Sequence, residues 1–137
     1  MPHIKSIRRY INAGLSSAPI KIADKYPSML SSWKKFQSEK PTENEIKQWQ
    51  TSYRDSDTYG CCIFCGAISG NLEVIDIDNH LGNAEEIFNQ FTNIDEVSEI
   101  VGNLPIETTK SGGYHIFYRC DKIDGNLKLV IQQKRRL

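Results

Sequence analysis

The sequence lacks any long apolar run. No stretch approaches the roughly eighteen apolar residues of a membrane-spanning helix, and the first residues carry charges inside their apolar pattern rather than the features of a signal peptide. We therefore expect a soluble protein in the cytoplasm. With 137 residues, the chain is long enough for one hydrophobic core and too short for two, so we expect a single domain over residues 1–137.

The sequence also lacks the ligand spacing of a structural zinc site. It has four cysteines and three histidines, and Cys62 and Cys65 form a single C-x-x-C pair. No second pair and no regular histidine spacing follow, whereas a structural zinc ion needs four ligands. Three cysteines lie in the apolar run CCIFC, where cysteine behaves as a small buried hydrophobe. We expect Cys61, Cys62 and Cys65 to be largely buried, with no zinc bound.

The absence of net charge hides an uneven distribution. Residues 1–40 contain eight Lys or Arg and two acids, residues 41–109 contain two and thirteen, and residues 110–137 contain seven and two. An acidic centre between basic flanks is typical of a site that gathers cations and then receives a phosphate-rich ligand. Solvated helix faces produce the same distribution, so charge alone leaves both interpretations open.

The apolar pattern of the first half predicts helices joined by an irregular segment. Residues 3–13 have apolar side chains at helical spacing and precede a glycine, which predicts a first helix. Thr42 followed by Glu45 predicts a capping box at the start of a second helix. Residues 15–37 contain two prolines, and we expect an irregular stretch that is held to the body by its aromatic side chains.

The second half predicts strands and a covering helix, and the whole chain therefore predicts an α+β fold. The runs YGCCIFCG from Tyr59 and LEVIDID from Leu72 are apolar on both sides, which favours strands at the centre of a sheet. Asn83 and Glu86 predict the start of one helix that runs to Val101. The segment IETTKSGGYHIFYR predicts two extended segments around a glycine turn.

The sharpest candidate for chemistry is the pair Asp76 and Asp78. In a strand, residues i and i+2 point to the same face, so V-I-D-I-D places two carboxylates side by side while Ile75 and Ile77 anchor the other face. Crowded carboxylates repel each other unless a cation neutralises them, and their oxygens suit Mg²⁺ or Mn²⁺. We predict a divalent metal site at this pair; the alternative is a solvent-exposed pair past the strand end.

A second candidate is the segment T-T-K-S-G-G-Y-H. Gly112 and Gly113 allow backbone amides to approach a ligand closely, and Lys110, Ser111 and His115 supply donors for phosphate oxygens. If a strand begins at Ser111, this residue shares one face with Gly113 and His115. Alone, the segment favours a plain glycine hairpin followed by an exposed histidine. Together with the acidic pair in one small domain, it favours a nucleotide site.

These motifs resemble the amino-terminal domain of bifunctional DNA primase/polymerases, a member of the archaeo-eukaryotic primase superfamily found in plasmids, phages and integrated mobile elements. The resemblance includes K-Y-P, S-W-K-K-F-Q and P-T-E-N-E-I-K-Q-W, and depends most on C-G-A-I-S-G-N-L-E-V-I-D-I-D followed by T-K-S-G-G-Y-H-I-F-Y-R. It implies a sheet like that of RNA-recognition motifs, covered by helices. It also implies that Asp76 and Asp78 bind catalytic metal ions and that Ser111 and His115 contact the triphosphate.

The activity implied by the resemblance is nucleotidyl transfer to a 3′-hydroxyl during DNA replication. Its partners are nucleoside triphosphates and a DNA template and primer, with a helicase domain or separate helicase left open. Paired metal ions activate the hydroxyl and stabilise the leaving pyrophosphate in such a reaction. From charge and position alone, we expect Lys110 or Arg119 to neutralise the triphosphate.

One departure from the family pattern bears on catalysis. The family continues to a third motif, an acid on a strand before a glycine-rich turn, and no acid follows Asp124 here. We therefore expect these 137 residues to bind nucleotide weakly and not to extend a primer. The alternatives are a truncated, non-catalytic relic that binds nucleotide or nucleic acid, and an aspartyl-phosphate phosphatase with Asp76 as nucleophile. The phosphatase is disfavoured because no paired acids follow downstream.

Overall fold

The computed structural model describes residues 2–128 and has the predicted mixed α+β architecture. The chain forms two compact units, the first ending at Leu72 and the second beginning at Glu73. None of the helices in the described range is long and apolar enough to cross a bilayer. The elements in chain order are α1 (Pro2–Asn12), β1 (Ser16–Lys21), α2 (Glu43–Ser52), β2 (Tyr59–Phe64), β3 (Leu72–Ile77), α3 (Ala84–Thr92), α4 (Asp95–Val101), β4 (Ile106–Thr108) and β5 (Tyr114–Arg119).

In the first unit, α1 and α2 share one core with an antiparallel sheet of β1 and β2. The predicted capping box is present: the Glu45 amide donates to Thr42 Oγ1 at 3.3 Å, and the Thr42 amide donates to the Glu45 carboxylate at 2.8 Å. This arrangement satisfies two amides at the start of α2 that have no partner within the helix. The buried core residues are Ile4, Ile7, Ala18, Phe36, Ile46, Trp49 and Phe64.

Residues 15–37 are more ordered than predicted. They contain strand β1 and a short 3₁₀ helix, Trp33–Gln37, which buries Phe36 as expected. The strand was missed because its two serines and its proline are typical of a loop. Ser16 and Ser17 are fully buried, and their hydroxyls each donate to a backbone carbonyl at 2.7 Å. These bonds remove the cost that otherwise excludes hydroxyls from a core.

The prediction for the cysteines is wrong in part. Cys61 and Cys62 lie in β2 and are half-buried, whereas Cys65 is exposed. Burial raises the pKa of the Cys62 thiol to about 11. Cys65 is exposed because the strand ends at Phe64, so the alternation of the sheet no longer applies to it.

The second unit is built on a sheet with the strand order β3-β5-β4. Helices α3 and α4 connect β3 to β4, and an antiparallel hairpin connects β4 to β5, as predicted. This β-α-β-β order corresponds to the first half of the sheet of RNA-recognition-motif-like folds. Helix α3 covers one face with a core of Ile77, Ala84 and Ile116, against which Ile75, Ile87, Phe88, Phe91, Leu104 and Tyr114 pack.

Neither apolar run occupies the centre of a sheet within residues 2–128, contrary to the prediction. There, β2 pairs with β1 alone, and β3 is an edge strand whose neighbour β5 lies in the middle. The apolar residues of β3 do not all enter the core. Ile75 and Ile77 pack beneath α3, while Val74 is 37% exposed. Apolar composition on both faces therefore overestimated how deeply the strand is buried.

The predicted helix from Asn83 to Val101 is interrupted. Helix α3 ends before Asn93, and the extended backbone of Ile94 (ψ 130°) separates it from α4. Asn83 does precede α3, but its side chain forms no capping bond. The Ala84 amide instead donates to Asn79 Oδ1 at 3.1 Å, so a residue from the preceding loop caps this helix.

Candidate functional site

Three polar side chains form a row across the sheet of the second unit. Asp76 of β3, His115 of β5 and Glu107 of β4 lie on the face opposite the helix-covered core. His115 Nε2 is 3.3 Å from Asp76 Oδ1, and His115 Nδ1 is 2.8 Å from Glu107 Oε1. Glu107 and His115 are direct partners in the register of the hairpin. The two sequence motifs, 39 positions apart at Asp76 and His115, therefore meet here.

The row is accessible to a ligand. The exposed fractions of the side chains are 53% for Asp76, 59% for Glu107 and 32% for His115. His115 is the most buried because β5 lies between the other two strands. Each ring nitrogen of His115 faces a carboxylate oxygen, which restricts the orientation of the ring from both sides.

Asp78 lies one residue beyond the end of β3. Its side chain is 66% exposed, and its Oδ2 is 3.5 Å from His80 Nε2. Ile75 and Ile77 occupy the core face as predicted, and Asp76 and Asp78 are both exposed. One carboxylate of the predicted pair therefore belongs to the strand, and the other belongs to the loop that follows it.

The second motif forms the turn between β4 and β5. The Thr109 amide donates to the Gly113 carbonyl at 2.9 Å, and the Gly113 amide donates to Thr109 Oγ1 at 2.9 Å. Ser111 is exposed in this turn, with its Oγ 3.3 Å from Thr109 Oγ1. The strand begins at Tyr114, not at Ser111, so the predicted shared face of Ser111, Gly113 and His115 does not exist.

Both glycines of the turn are required by contacts inside the protein. A Cβ at Gly113 would lie 2.3 Å from the Ile77 carbonyl oxygen, and one at Gly112 would lie 2.9 Å from Asn79 Nδ2. Gly112 also has a positive φ of 86°, which favours glycine. The close approach of the turn to the end of β3 thus explains the glycines without reference to a ligand, and it holds the two motifs together.

Asn79 joins three parts of the site. Its Nδ2 donates to the Ser111 carbonyl at 2.9 Å, and its Oδ1 accepts from the Ala84 amide at 3.1 Å. One amide side chain therefore connects the loop after β3, the glycine turn and the start of α3. This arrangement ties the position of Asp78, the preceding residue, to that of the turn.

The two predicted cations are not part of the row. Lys110 is exposed in the turn, and Arg119 is exposed at the far end of β5. Arg119 shares the face of His115 by strand alternation, but four residues of strand separate them by about 13 Å. Lys110 therefore belongs to the turn itself, whereas Arg119 lies at the end of β5 that is remote from the turn.

Glu73 belongs to the opposite face of β3. The Tyr118 hydroxyl donates to the Glu73 carboxylate, and Ile75 and Ile77, which share the alternation of Glu73, lie in the core beneath α3. This bond lowers the pKa of Glu73 and, as the main cause, raises the pKa of Tyr118 to about 12. Glu73 is therefore directed away from Asp76 and does not extend its carboxylate row.

The carboxylates fit one kind of metal site. Within residues 2–128, no group of three or more His, Cys, Asp or Glu side chains is arranged to hold a metal ion. Asp76 and Asp78 offer two accessible carboxylates near the end of one strand. Mg²⁺ in phosphate-handling sites is commonly held through one or two carboxylates, with water and substrate phosphates as its other ligands. The donor set agrees with such a shared site.

Sequence reasoning missed Glu107 and Asn79. A signal for Glu107 was present: in a hairpin whose turn is centred on Ser111, residues 107 and 115 lie opposite each other. No comparable signal existed for Asn79, because its two partners lie five and 32 positions away and become neighbours only in the folded chain.

In this α+β domain, an acidic strand end, a glycine turn and a histidine on the adjacent strand therefore lie together. The profile of the bifunctional DNA primase/polymerase N-terminal family matches residues 7–135, and the chain belongs to this family. A comparison with curated proteins finds no significant match. Membership implies nucleotide and DNA substrates, and the family generally uses divalent metal ions.

Proposed function

We propose that this chain belongs to the nucleotide-binding and nucleotidyl-transfer module of a DNA primase/polymerase, from a mobile element or phage, with its site at the Asp76–His115–Glu107 row. In this proposal the 137 residues by themselves bind nucleotide weakly and do not extend a primer. The observation that supports it is the 3.3 Å contact between Asp76 and His115, which brings the acidic motif and the glycine-turn motif into one accessible site. Nucleoside triphosphates and a DNA template and primer are its partners, so it acts in the cytoplasm. No feature of residues 2–128 points to a helicase, and none is included.

In this proposal Asp76 and Asp78 hold Mg²⁺ or Mn²⁺ together with triphosphate oxygens. The ions, when bound, lower the pKa of the attacking 3′-hydroxyl and offset charge on the leaving pyrophosphate. His115 Nε2 and the Ser111 hydroxyl orient the triphosphate, and Lys110 offsets its charge from the turn. Arg119 is distant along β5, so we assign it at most a role with a more remote part of the substrate.

Glu107 holds His115 in the orientation that this role needs. Its carboxylate accepts from His115 Nδ1 at 2.8 Å and leaves Nε2 directed toward β3. A ring bonded on one edge presents the other edge to the ligand without a loss of rotamer entropy on binding. Glu107 is thus a positioning residue, whereas His115 is the group that touches the triphosphate.

The test is a calorimetric titration of nucleoside triphosphate into the 137-residue protein with and without Mg²⁺. We expect metal to strengthen binding, and we expect Asp76→Asn and Asp78→Asn to remove most of that increase. Asp95→Asn, which changes an exposed carboxylate in the first turn of α4, is the matched control and should behave like the wild type.

Two results would contradict the proposal. If the triphosphate binds equally tightly without metal, Asp76 and Asp78 do not contribute to binding through a metal ion. An Asp76→Asn protein with an unchanged metal-dependent increase would show that the ion is held elsewhere. Melting temperatures of all variants establish that each is folded under the assay conditions.

A further inference from the structure

A continuous series of aromatic contacts in the first unit ends at the protein surface. Trp49 contacts Phe36, Phe36 contacts Phe64, and Phe64 stacks on Trp33 with centroids 6.3 Å apart. The Tyr26 ring lies 5.6 Å from the Trp33 ring and is the exposed end of the series, with 54% of the residue accessible. The buried aromatic core therefore holds an exposed ring in place.

Two lysines accompany the exposed end of this series, one against Trp33 and one next to Tyr26 in the chain. Lys34 Nζ lies 5.9 Å from the centroid of Trp33, a cation–π contact, and Lys25 is exposed next to Tyr26 in the chain. Neither lysine has a carboxylate within 4.0 Å among residues 2–128. The neighbouring acid, Asp24, accepts a hydrogen bond from the Ser28 hydroxyl at 3.0 Å. We call Lys25, Tyr26, Trp33 and Lys34 the Tyr26 surface.

We infer that the Tyr26 surface binds a single-stranded nucleic acid, with a base stacked on Tyr26 and phosphates near Lys25 and Lys34. Proteins that hold single strands without sequence preference combine exposed aromatic faces with cations that follow the backbone. The charge of the segment agrees with a polyanion, because residues 1–40 contain eight Lys or Arg and two acids. Lys25 and Tyr26 belong to the motif K-Y-P, and Trp33 and Lys34 belong to S-W-K-K-F-Q, so strand binding would be a function that the two motifs share.

A protein partner is the less favoured occupant of this surface. Stable protein interfaces have an apolar centre from which charged residues, and lysine in particular, are depleted. Here lysines flank a single exposed tyrosine. The Tyr26 surface therefore suits contacts with a flexible polyanion better than a stable protein–protein interface.

The inference deepens the proposed function by naming the residues that hold a template or primer strand. Its test is separate from the metal site: binding of a short fluorescein-labelled oligothymidylate, measured by fluorescence anisotropy without metal or nucleotide. We expect Tyr26→Ala to weaken binding about tenfold, within the range for one base stacked on an aromatic ring. Tyr26→Phe keeps the ring and should bind like the wild type.

Charge is tested with a second pair of variants. Lys34→Ala should weaken binding and reduce the slope of log affinity against log salt by about 0.7, the value for one phosphate contact on a single strand. Lys47→Ala removes an exposed lysine of α2 and is the matched control. Thermal unfolding of each variant shows whether the fold is retained.

Each outcome has a definite meaning. No oligonucleotide binding by the wild type at low salt, equal binding by Tyr26→Ala, or an unchanged salt slope in Lys34→Ala would each overturn the inference. The Asp95→Asn protein, the control of the triphosphate titration, should bind the oligonucleotide normally. If oligonucleotide binding fails while metal-dependent triphosphate binding holds, the inference is wrong and the proposed function stands; the reverse result rejects only the proposed function.

Discussion

Replacement of Glu107 by alanine removes one of the two carboxylates that hold the His115 ring. The lost contact is the 2.8 Å hydrogen bond from His115 Nδ1, made between direct cross-strand partners. Nothing else in the hairpin is expected to change, because Glu107 is exposed and its strand keeps its backbone bonds. The expected consequence is a His115 ring that samples several orientations and contacts the triphosphate less often.

The size of the effect follows from the exposure of the two side chains. With 32% of His115 and 59% of Glu107 accessible, solvent screens their contact, and about 0.2–1 kcal/mol is the appropriate range. Glu107→Ala should therefore weaken triphosphate binding by about 1.5-fold to 5-fold. His115→Ala removes a bond to a charged phosphate, worth about 1.5–3 kcal/mol, and should weaken binding by roughly 10-fold to 150-fold.

A double-mutant cycle separates positioning from other effects of the carboxylate. Removing a negative charge near a triphosphate favours binding by itself, so Glu107→Gln, which keeps an acceptor oxygen and loses the charge, should bind at least as tightly as the wild type. In a His115→Ala background, Glu107→Ala should no longer weaken binding. Triphosphate titrations in Mg²⁺ give the four affinities, and Thr108→Ala, a change at the next residue of β4, is the control.

Two outcomes would refute this reasoning. If Glu107→Ala weakens binding equally with and without His115, the carboxylate acts on something other than the ring. If Glu107→Gln is as weak as Glu107→Ala, charge rather than the hydrogen bond is responsible. A fall in melting temperature that parallels the affinity loss would indicate a structural role of the hairpin.

Three further predictions concern the framework of the site. Gly113→Ala places a Cβ 2.3 Å from a carbonyl oxygen of β3 and should lower the free energy of unfolding, measured in urea titrations, by about 2 kcal/mol or more. Gly102→Ala, with open space around the new Cβ, is the control and should not destabilise the protein. Equal effects of the two changes would contradict the packing argument. Asn79→Ala removes a helix cap and a hydrogen bond to the turn, so we expect the free energy of unfolding to fall by about 1–2 kcal/mol in the same assay. An unchanged free energy of unfolding would show that water replaces both bonds. The bond from the Tyr118 hydroxyl lowers the pKa of Glu73, so the stability that this carboxylate contributes is present above its ordinary pKa of 4.5 and is lost as pH falls through the lowered value. When the free energy of unfolding is measured at decreasing pH, Glu73→Gln should therefore lose less stability than the wild type. Identical curves for the two proteins would contradict this prediction.

The features that the sequence alone determined depend on short-range interactions. The capping box at Thr42 and Glu45, the first helix and the glycine hairpin each involve residues a few positions apart, so the local pattern is sufficient to predict them. The alternation of V-I-D-I-D likewise placed Ile77 in the core and Asp76 outside it. The order of the two motifs was enough to indicate the family.

The tertiary structure alone decided which groups meet. The hydroxyls of Ser16 and Ser17 find carbonyl partners 20 and 45 positions away, and these bonds allow a loop-like sequence to form a buried strand paired with β2. Asn79 bonds across 32 positions to the glycine turn. His115 meets Asp76, 39 positions away, because β5 lies beside β3 in the sheet. Such contacts depend on strand order and chain reversal, which no local pattern encodes, and they determine the arrangement of the candidate site.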